Sequence, residues 1–246
     1  MRLLFIGVCA VGLLFVAFII MFNPFPKDRL DLAVRYLKDH FNETVGLVYE
    51  SEDRGTETMG GFNYSHNRIY WIYSDNLLAA WVLKPYEPGI SNRINQTIQS
   101  YNIPQSRFFE VLFGEPIPTN ISTAVQLILG QYPDRVIMAE FHNSSIPLLW
   151  EQYCDTLIYQ SLNLHLRGNR TGAEYYFFKA YKMWDGKGIF DLATKEEGYA
   201  NFKLALILYA SKVLNLTIGN YTRIEEKLWS MQQANGGITS LSDLNG

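Results

Sequence analysis

The chain has 246 residues, 48% of them apolar and 15% aromatic, with a net charge of −3. That balance excludes a disordered chain, and the dispersed Lys and Arg exclude a nucleic-acid surface. Two cysteines, Cys9 in an apolar N-terminal run and Cys154 alone in the remainder, exclude a disulfide-stapled domain and a thiolate zinc cluster.

Leu3 to Phe22 is an uncharged run without proline. At about 1.5 Å per residue such a run crosses a hydrocarbon core of about 30 Å. A cleaved signal peptide is the competing reading. It expects a shorter apolar core followed by a small-x-small site, and Met21-Phe22-Asn23-Pro24-Phe25-Pro26 offers none. The expectation is an uncleaved signal-anchor over residues 1–25, with the lipid bilayer as partner of residues 3–22. Residues 26–246 then form an extracytoplasmic helical domain.

Residues 28–41 place Leu30, Ala33, Val34, Leu37 and Phe41 on one helical stripe. A strand pair flanks Gly60-Gly61, with Ile69–Tyr73 as its better half. Asp75 is expected to cap an apolar helix through Leu77, Leu78, Trp81 and Val82 that stops at Lys84-Pro85. Ser91 caps a helix running to Tyr101. Thr123–Leu129 and Arg135–Phe141, joined by Gln131-Tyr132-Pro133-Asp134, read as a β-hairpin inserted at about 120–142.

The stretch 148–166 repeats apolar residues at i, i+3 and i+4, and Gly168-Asn169 ends it. Cys154 on that stretch reads as a buried small hydrophobe. Ala173 to Trp184 mark the next helix. Residues 199–214 are apolar nearly all round, hence interior. Thr222 and Glu225 form a capping box for a last helix ending near Gln233. Three glycine loops follow helices, at Gly46-Leu47-Val48, Gly188-Ile189-Phe190 and Gly237-Ile238-Thr239.

Topology is read from sequons. Asn-x-Ser/Thr occurs at Asn42, Asn63, Asn95, Asn120, Asn143, Asn169, Asn215 and Asn220. Seventeen Asn and 26 Ser or Thr in a chain of this length would give about 1.8 by chance. The shared preference of Asn and Ser/Thr for turns explains two or three. The excess points to N-glycosylation of these residues outside the cytoplasm.

Leu228-Trp229-Ser230-Met231-Gln232-Gln233-Ala234-Asn235-Gly236-Gly237-Ile238 resembles the "helix, Gln, Gly-Gly, apolar" hairpin of α/α toroids (six-hairpin folds). Met183-Trp184-Asp185-Gly186-Lys187-Gly188-Ile189-Phe190-Asp191 is similar to a second such hairpin. That superfamily holds terpenoid cyclases, prenyltransferases and many glycoside hydrolases. The layout is also similar to uncharacterised membrane-anchored ectodomains of archaea. The resemblance covers about 28–50 and 148–246. It implies a mainly α fold: antiparallel helical hairpins in a partial or complete α/α toroid, with one or two small β-hairpins besides the transmembrane helix. Seven or eight helices are counted where a full toroid has about twelve. The chain ends eleven residues after Asn235, inside a would-be hairpin, so the expected ring is partial or the chain is truncated C-terminally. Gly168-Asn169 through Ala173, Phe177 and Ala180 resembles instead the helix junction of a tetratricopeptide unit, which would imply an assembly scaffold.

Chemistry-bearing motifs are few. The four histidines, His40, His66, His142 and His165, lack HExxH spacing. No nucleophile elbow, Walker loop or Gly-x-Gly-x-x-Gly occurs, and the cyclase and prenyltransferase signatures of the toroid superfamily are missing. No cofactor and no metal are expected. Loop carboxylates remain, since glycoside hydrolysis needs an acid and a base or nucleophile across a cleft. Glu50, Asp185 and Asp191 are the catalytic candidates, beside Asp53, Asp75 and Asp243. Against them, Asp75 reads as a helix cap and Asp185-Gly186 as a turn. Trp71, Trp81, Trp150 and Trp184 with the tyrosines line either a sugar-binding cavity or a helical core. The expected function is binding of a glycan or envelope component. A carbohydrate-active enzyme and an assembly scaffold are the alternatives.

Overall fold

A computed structural model describes residues 27–50, 56–59, 62–65, 68–103, 108–117, 122–147, 149–194 and 198–244. The expected anchor over residues 1–25 lies outside them. No helix among the described residues is long and apolar enough to cross a membrane.

The described chain is mainly α. Its helices are α1 (Lys27–Asp39), α2 (Leu78–Leu83), α3 (Pro88–Ser100), α4 (Cys154–Leu166), α5 (Arg170–Tyr181), α6 (Phe202–Val213) and α7 (Tyr221–Ser230). One large core joins them. In α6 every residue from Phe202 to Ser211 is buried, as expected of a helix apolar all round. In α1 the buried stripe is Ala33, Val34 and Leu37.

Short strands decorate this body: β1 (Phe41–Asn42), β2 (Leu47–Val48), β3 (Thr56–Met59), β4 (Phe62–Ser65), β5 (Arg68–Trp71), β6 (Ser122–Tyr132), β7 (Arg135–Pro147), β8 (Tyr199–Ala200) and β9 (Leu241–Ser242). β6 and β7 form the expected hairpin, longer than the alternation suggested. β3 and β4 pair across Gly60-Gly61. Ile69–Trp71 does not join that pair, contrary to expectation. β5 instead lies parallel to β7, Ile69 beside Val136 and Trp71 beside Met138, giving a three-stranded sheet β5-β7-β6. Tyr70, Ile137 and Ala139 face the helical core, while Ile69, Trp71, Val136 and Met138 pack together on the other face.

Four helix starts differ from expectation. Asp75 does not cap α2. It sits buried inside a π-helical turn, Ile72–Leu77, that leads into α2. Asn76 on this turn bonds Val48 through both its amide ends and also reaches the Trp71 carbonyl, so its side chain acts as a strand substitute. Helix α3 begins at Pro88, whose fixed φ and missing N–H suit a first turn. Ser91 lies within it, its hydroxyl donating to Ala80 O. Helix α4 starts at Cys154 rather than 148, because the Cys154 N–H is taken by Asp191 Oδ2 at 3.0 Å. Cys154 itself is buried, as expected. Helix α7 starts one residue before Thr222, with Asn220 at the cap position, its side chain bonding no N–H of the helix.

The three glycine loops close alike. Each brings an apolar residue back beside the helix end in an antiparallel pair: Asn42 with Leu47, Trp184 with Ile189, Gln232 with Ile238. Each contains one left-handed glycine, Gly46 (φ 76), Gly186 (φ 100) or Gly236 (φ 96). The last loop lies against α1. Arg29 donates to Trp229 O, and Gln232 donates to Arg29 O.

Candidate functional site

Three groupings carry chemistry among the described residues. The first is an acidic pair behind the sheet. Glu140 interrupts the apolar run Val136 to Phe141 on β7 and is buried. Its Oε1 accepts the Ser74 N–H of the π-helical turn at 2.5 Å, while Oε2 has no hydrogen-bond partner among the described residues. Burial pushes this carboxyl from its ordinary 4.5 up to about 7; the Ser74 bonds oppose the rise and the Glu50 charge adds to it. Glu50, also buried, accepts the Trp71 indole N–H at 3.1 Å. Chain-order reading singled out Glu50 but missed Glu140. The available signal was a lone acid at mid-strand in an apolar run.

The second grouping is structural. Asp191 Oδ2 takes both Cys154 N and Lys203 Nζ, and its Oδ1 accepts Ala193 N at 3.0 Å. Thr194 completes the turn by donating to Ile189 O and accepting from Asp191 N. Lys203 lies between Asp191 and Asp155. Desolvation works to neutralise the ammonium, yet those two carboxylates hold its pKa above the usual lysine value. Burial raises the Asp155 carboxyl above its ordinary value and pushes the Cys154 thiol well up, so a thiolate is not favoured. Asp185 is spoken for as well. Its Oδ1 accepts Lys187 N and Gly188 N, its Oδ2 the Tyr199 hydroxyl at 2.5 Å. Burial works upward on Asp185, but those donors bring it below the ordinary value, and the same bond pushes Tyr199 up to about 12. Asp185 and Asp191 thus share a loop but serve different neighbours, and Glu50 belongs to the other grouping. No cluster of three or more His, Cys, Asp or Glu that could hold a metal exists among the described residues.

The third grouping is an aromatic shelf on α5. Tyr175 is 62% exposed, its ring edge-on to Tyr176 at 5.0 Å. Tyr176 in turn packs on Trp150 at 5.1 Å. Phe178, one turn beyond Tyr175, and Leu149, 66% exposed, extend the apolar surface. Lys179 pairs with Glu151 and pins the 150–152 turn against α5. The other tryptophans flagged in the sequence are part of the packing: Trp71 is buried, Trp81 lies on Phe113 at 5.2 Å, and Trp184 bridges to Ile189.

Comparison with protein-family models, with curated proteins and with solved structures finds no match for this chain.

Proposed function

We propose that this chain is a membrane-anchored extracytoplasmic domain of α/α-toroid character that binds a glycan of the cell envelope through the aromatic shelf on α5. The observation that carries the reading is the run Trp150–Tyr176–Tyr175, three rings in contact and ending in an open one. Sugars offer C–H faces that lie flat on such rings, and their hydroxyls reach the polar rim, here Lys179 and Glu151. Contiguous exposed apolar surface marks interaction sites, and Tyr175, Phe178 and Leu149 are such exposed side chains around these rings. The three similar glycine loops support the toroid character, and the sequon excess supports the extracytoplasmic placement.

Glycan-array binding by the detergent-solubilised chain tests the reading. Tyr175→Ala and Trp150→Ala are expected to lose binding at least tenfold while retaining the wild-type circular dichroism spectrum. Undiminished binding by both variants overturns it, as does failure of the wild type to bind any glycan.

A different observation favours a carbohydrate-active enzyme. Glu140, whose carboxyl burial pushes up to about 7 with the Glu50 charge adding to the rise, is the kind of group that can hold and donate a proton as a general acid. Hydrolysis assays with Glu140→Gln separate the readings: lost turnover with retained binding supports the enzyme.

A further inference from the structure

On the extracytoplasmic placement proposed above, we infer that the folded domain carries Asn-linked oligosaccharide at Asn169 and Asn215, whereas Asn42 and Asn220 are sequons in sequence only. Transfer from a lipid-linked oligosaccharide phosphate forms a bond from Asn Nδ2 to sugar C1 and breaks the C1–O bond to phosphate. The lipid phosphate leaves and the amide gives up one proton. The product keeps the amide carbonyl but points a bulky group along the Nδ2 direction. The folded chain must therefore leave that direction open, whenever the sugar is attached.

Asn169 meets the condition. It is exposed at the α4–α5 junction, and its work as helix cap falls on Oδ1, which accepts Gly172 N at 3.0 Å. Its Nδ2 has no hydrogen-bond partner among the described residues. Gly172 leaves room for the amide, since a Cβ there would fall 3.0 Å from Nδ2. Capping and glycosylation use opposite ends of one amide and are compatible. Asn215 also qualifies. It is exposed just past α6 in the left-handed region (φ 51), with Thr217 of its sequon exposed two residues on. It rims an open hollow of about 230 Å³ lined also by Lys212, Leu216, Ile218 and Tyr221.

Asn42 and Asn220 fail it. Asn42 Nδ2 donates to the hydroxyl of the buried Tyr70 at 3.1 Å, and its Oδ1 accepts Thr44 N and Val45 N. That bond uses one of the two Nδ2 protons and holds the part-buried amide against the buried Tyr70, so a sugar on Asn42 has only the remaining N–H position beside a packed ring. Asn220 Nδ2 donates to Tyr181 Oη at 3.0 Å, and its backbone N–H donates to the same oxygen. In these two sequons the hydroxyl residue merely follows a turn-forming Asn. The sequons at Asn63, Asn95, Asn120 and Asn143 carry no part of the inference.

The test is peptide mass spectrometry on the full chain purified from its native membranes. Expected are sugar-bearing peptides at Asn169 and Asn215 and bare peptides at Asn42 and Asn220. Asn169→Asp keeps a capping oxygen, so it should lose one glycan's mass while its melting midpoint falls less than half as far as that of Asn169→Ala. Sugar on Asn42 or Asn220, or bare Asn169 and Asn215 beside another occupied sequon, overturns the assignment of sites. Eight bare sequons on a domain that external protease cannot reach in intact cells overturn the extracytoplasmic placement instead. Eight bare sequons on a protease-accessible domain overturn the glycosylation inference alone.

Discussion

Lys203 Nζ lies 2.5 Å from Asp191 Oδ2, and neither side chain meets solvent. The pair joins the start of α6 to the loop that also fixes the start of α4. Burying two charges is costly in itself, so the pair is better read as a locator of helices than as a source of stability.

Asp191→Ala removes the hydrogen-bonded carboxylate from the buried Lys203 ammonium and strips the Cys154 N–H of its acceptor. A loss of about 3–5 kcal/mol is expected from breaking such a pair from one side. Urea unfolding followed by tryptophan fluorescence measures it. A loss below about 1 kcal/mol, as for an exposed ion pair, would contradict this role.

Glu140 makes stability depend on pH. Its carboxyl is raised in the fold, from 4.5 to about 7. The folded chain therefore holds a proton that the unfolded chain releases between those values, and stability falls as pH rises through that window. The contribution is complete below about pH 4.5 and gone above about pH 7, roughly 3 kcal/mol in all at 1.36 kcal/mol per unit. Asp155 is shifted in the same direction and adds to the slope. Glu140→Gln should match the wild type at pH 5 and exceed it in unfolding midpoint at pH 8. Equal midpoints at both values would show that Glu140 is not held neutral.

Gly236→Ala and Gly219→Ala form a contrasting pair. At Gly236 φ is +96 and an added Cβ would stand 2.1 Å from Leu32 O, so α1 must move. Overpacking of this kind destabilises by about 1–3 kcal/mol, and the left-handed backbone adds to it. At Gly219 nothing lies within 4 Å, and alanine there should gain about 0.4–1 kcal/mol by restricting the unfolded chain. Thermal melts of the two variants are expected to shift in opposite directions.

Asn169→Ala removes the cap bond to Gly172 N and should lower stability by about 1 kcal/mol. Asn169→Asp, which keeps a capping oxygen, should lose less than half of that. Equal losses would show that the cap oxygen contributes nothing.

The helices were legible in the sequence wherever one face was apolar at 3.6-residue spacing, as at Leu30 to Leu37, or all faces were, as in α6. The glycine loops were legible as loops, but only Gly46 is the left-handed glycine expected; at the other two it is Gly186 and Gly236, while Gly188 and Gly237 instead make room for the Tyr199 and Tyr36 rings. Helix starts were not. Asp75 and Ser91 have capping chemistry, but the deciding partners, Ala80 O for Ser91 and the π-helical turn for Asp75, are set by tertiary packing. The parallel pairing of β5 with β7 was invisible for the same reason: it joins strands more than sixty residues apart. The buried charged residues of the site, Glu140 and Lys203, stand out only as single charges in apolar runs. Their partners, Ser74 and Asp191, come from other elements.

Leu32 meets Gly236, and Arg29 meets Trp229, across some two hundred positions of chain. A ribosome releasing this polypeptide therefore presents α1 long before the surface that shelters Ala33 and Leu37 exists. Those side chains must wait exposed, or borrow a temporary cover, until the 229–237 loop emerges. Docking of α1 thus waits on synthesis of residues 229–237, and a product stalled before them would leave its apolar stripe uncovered.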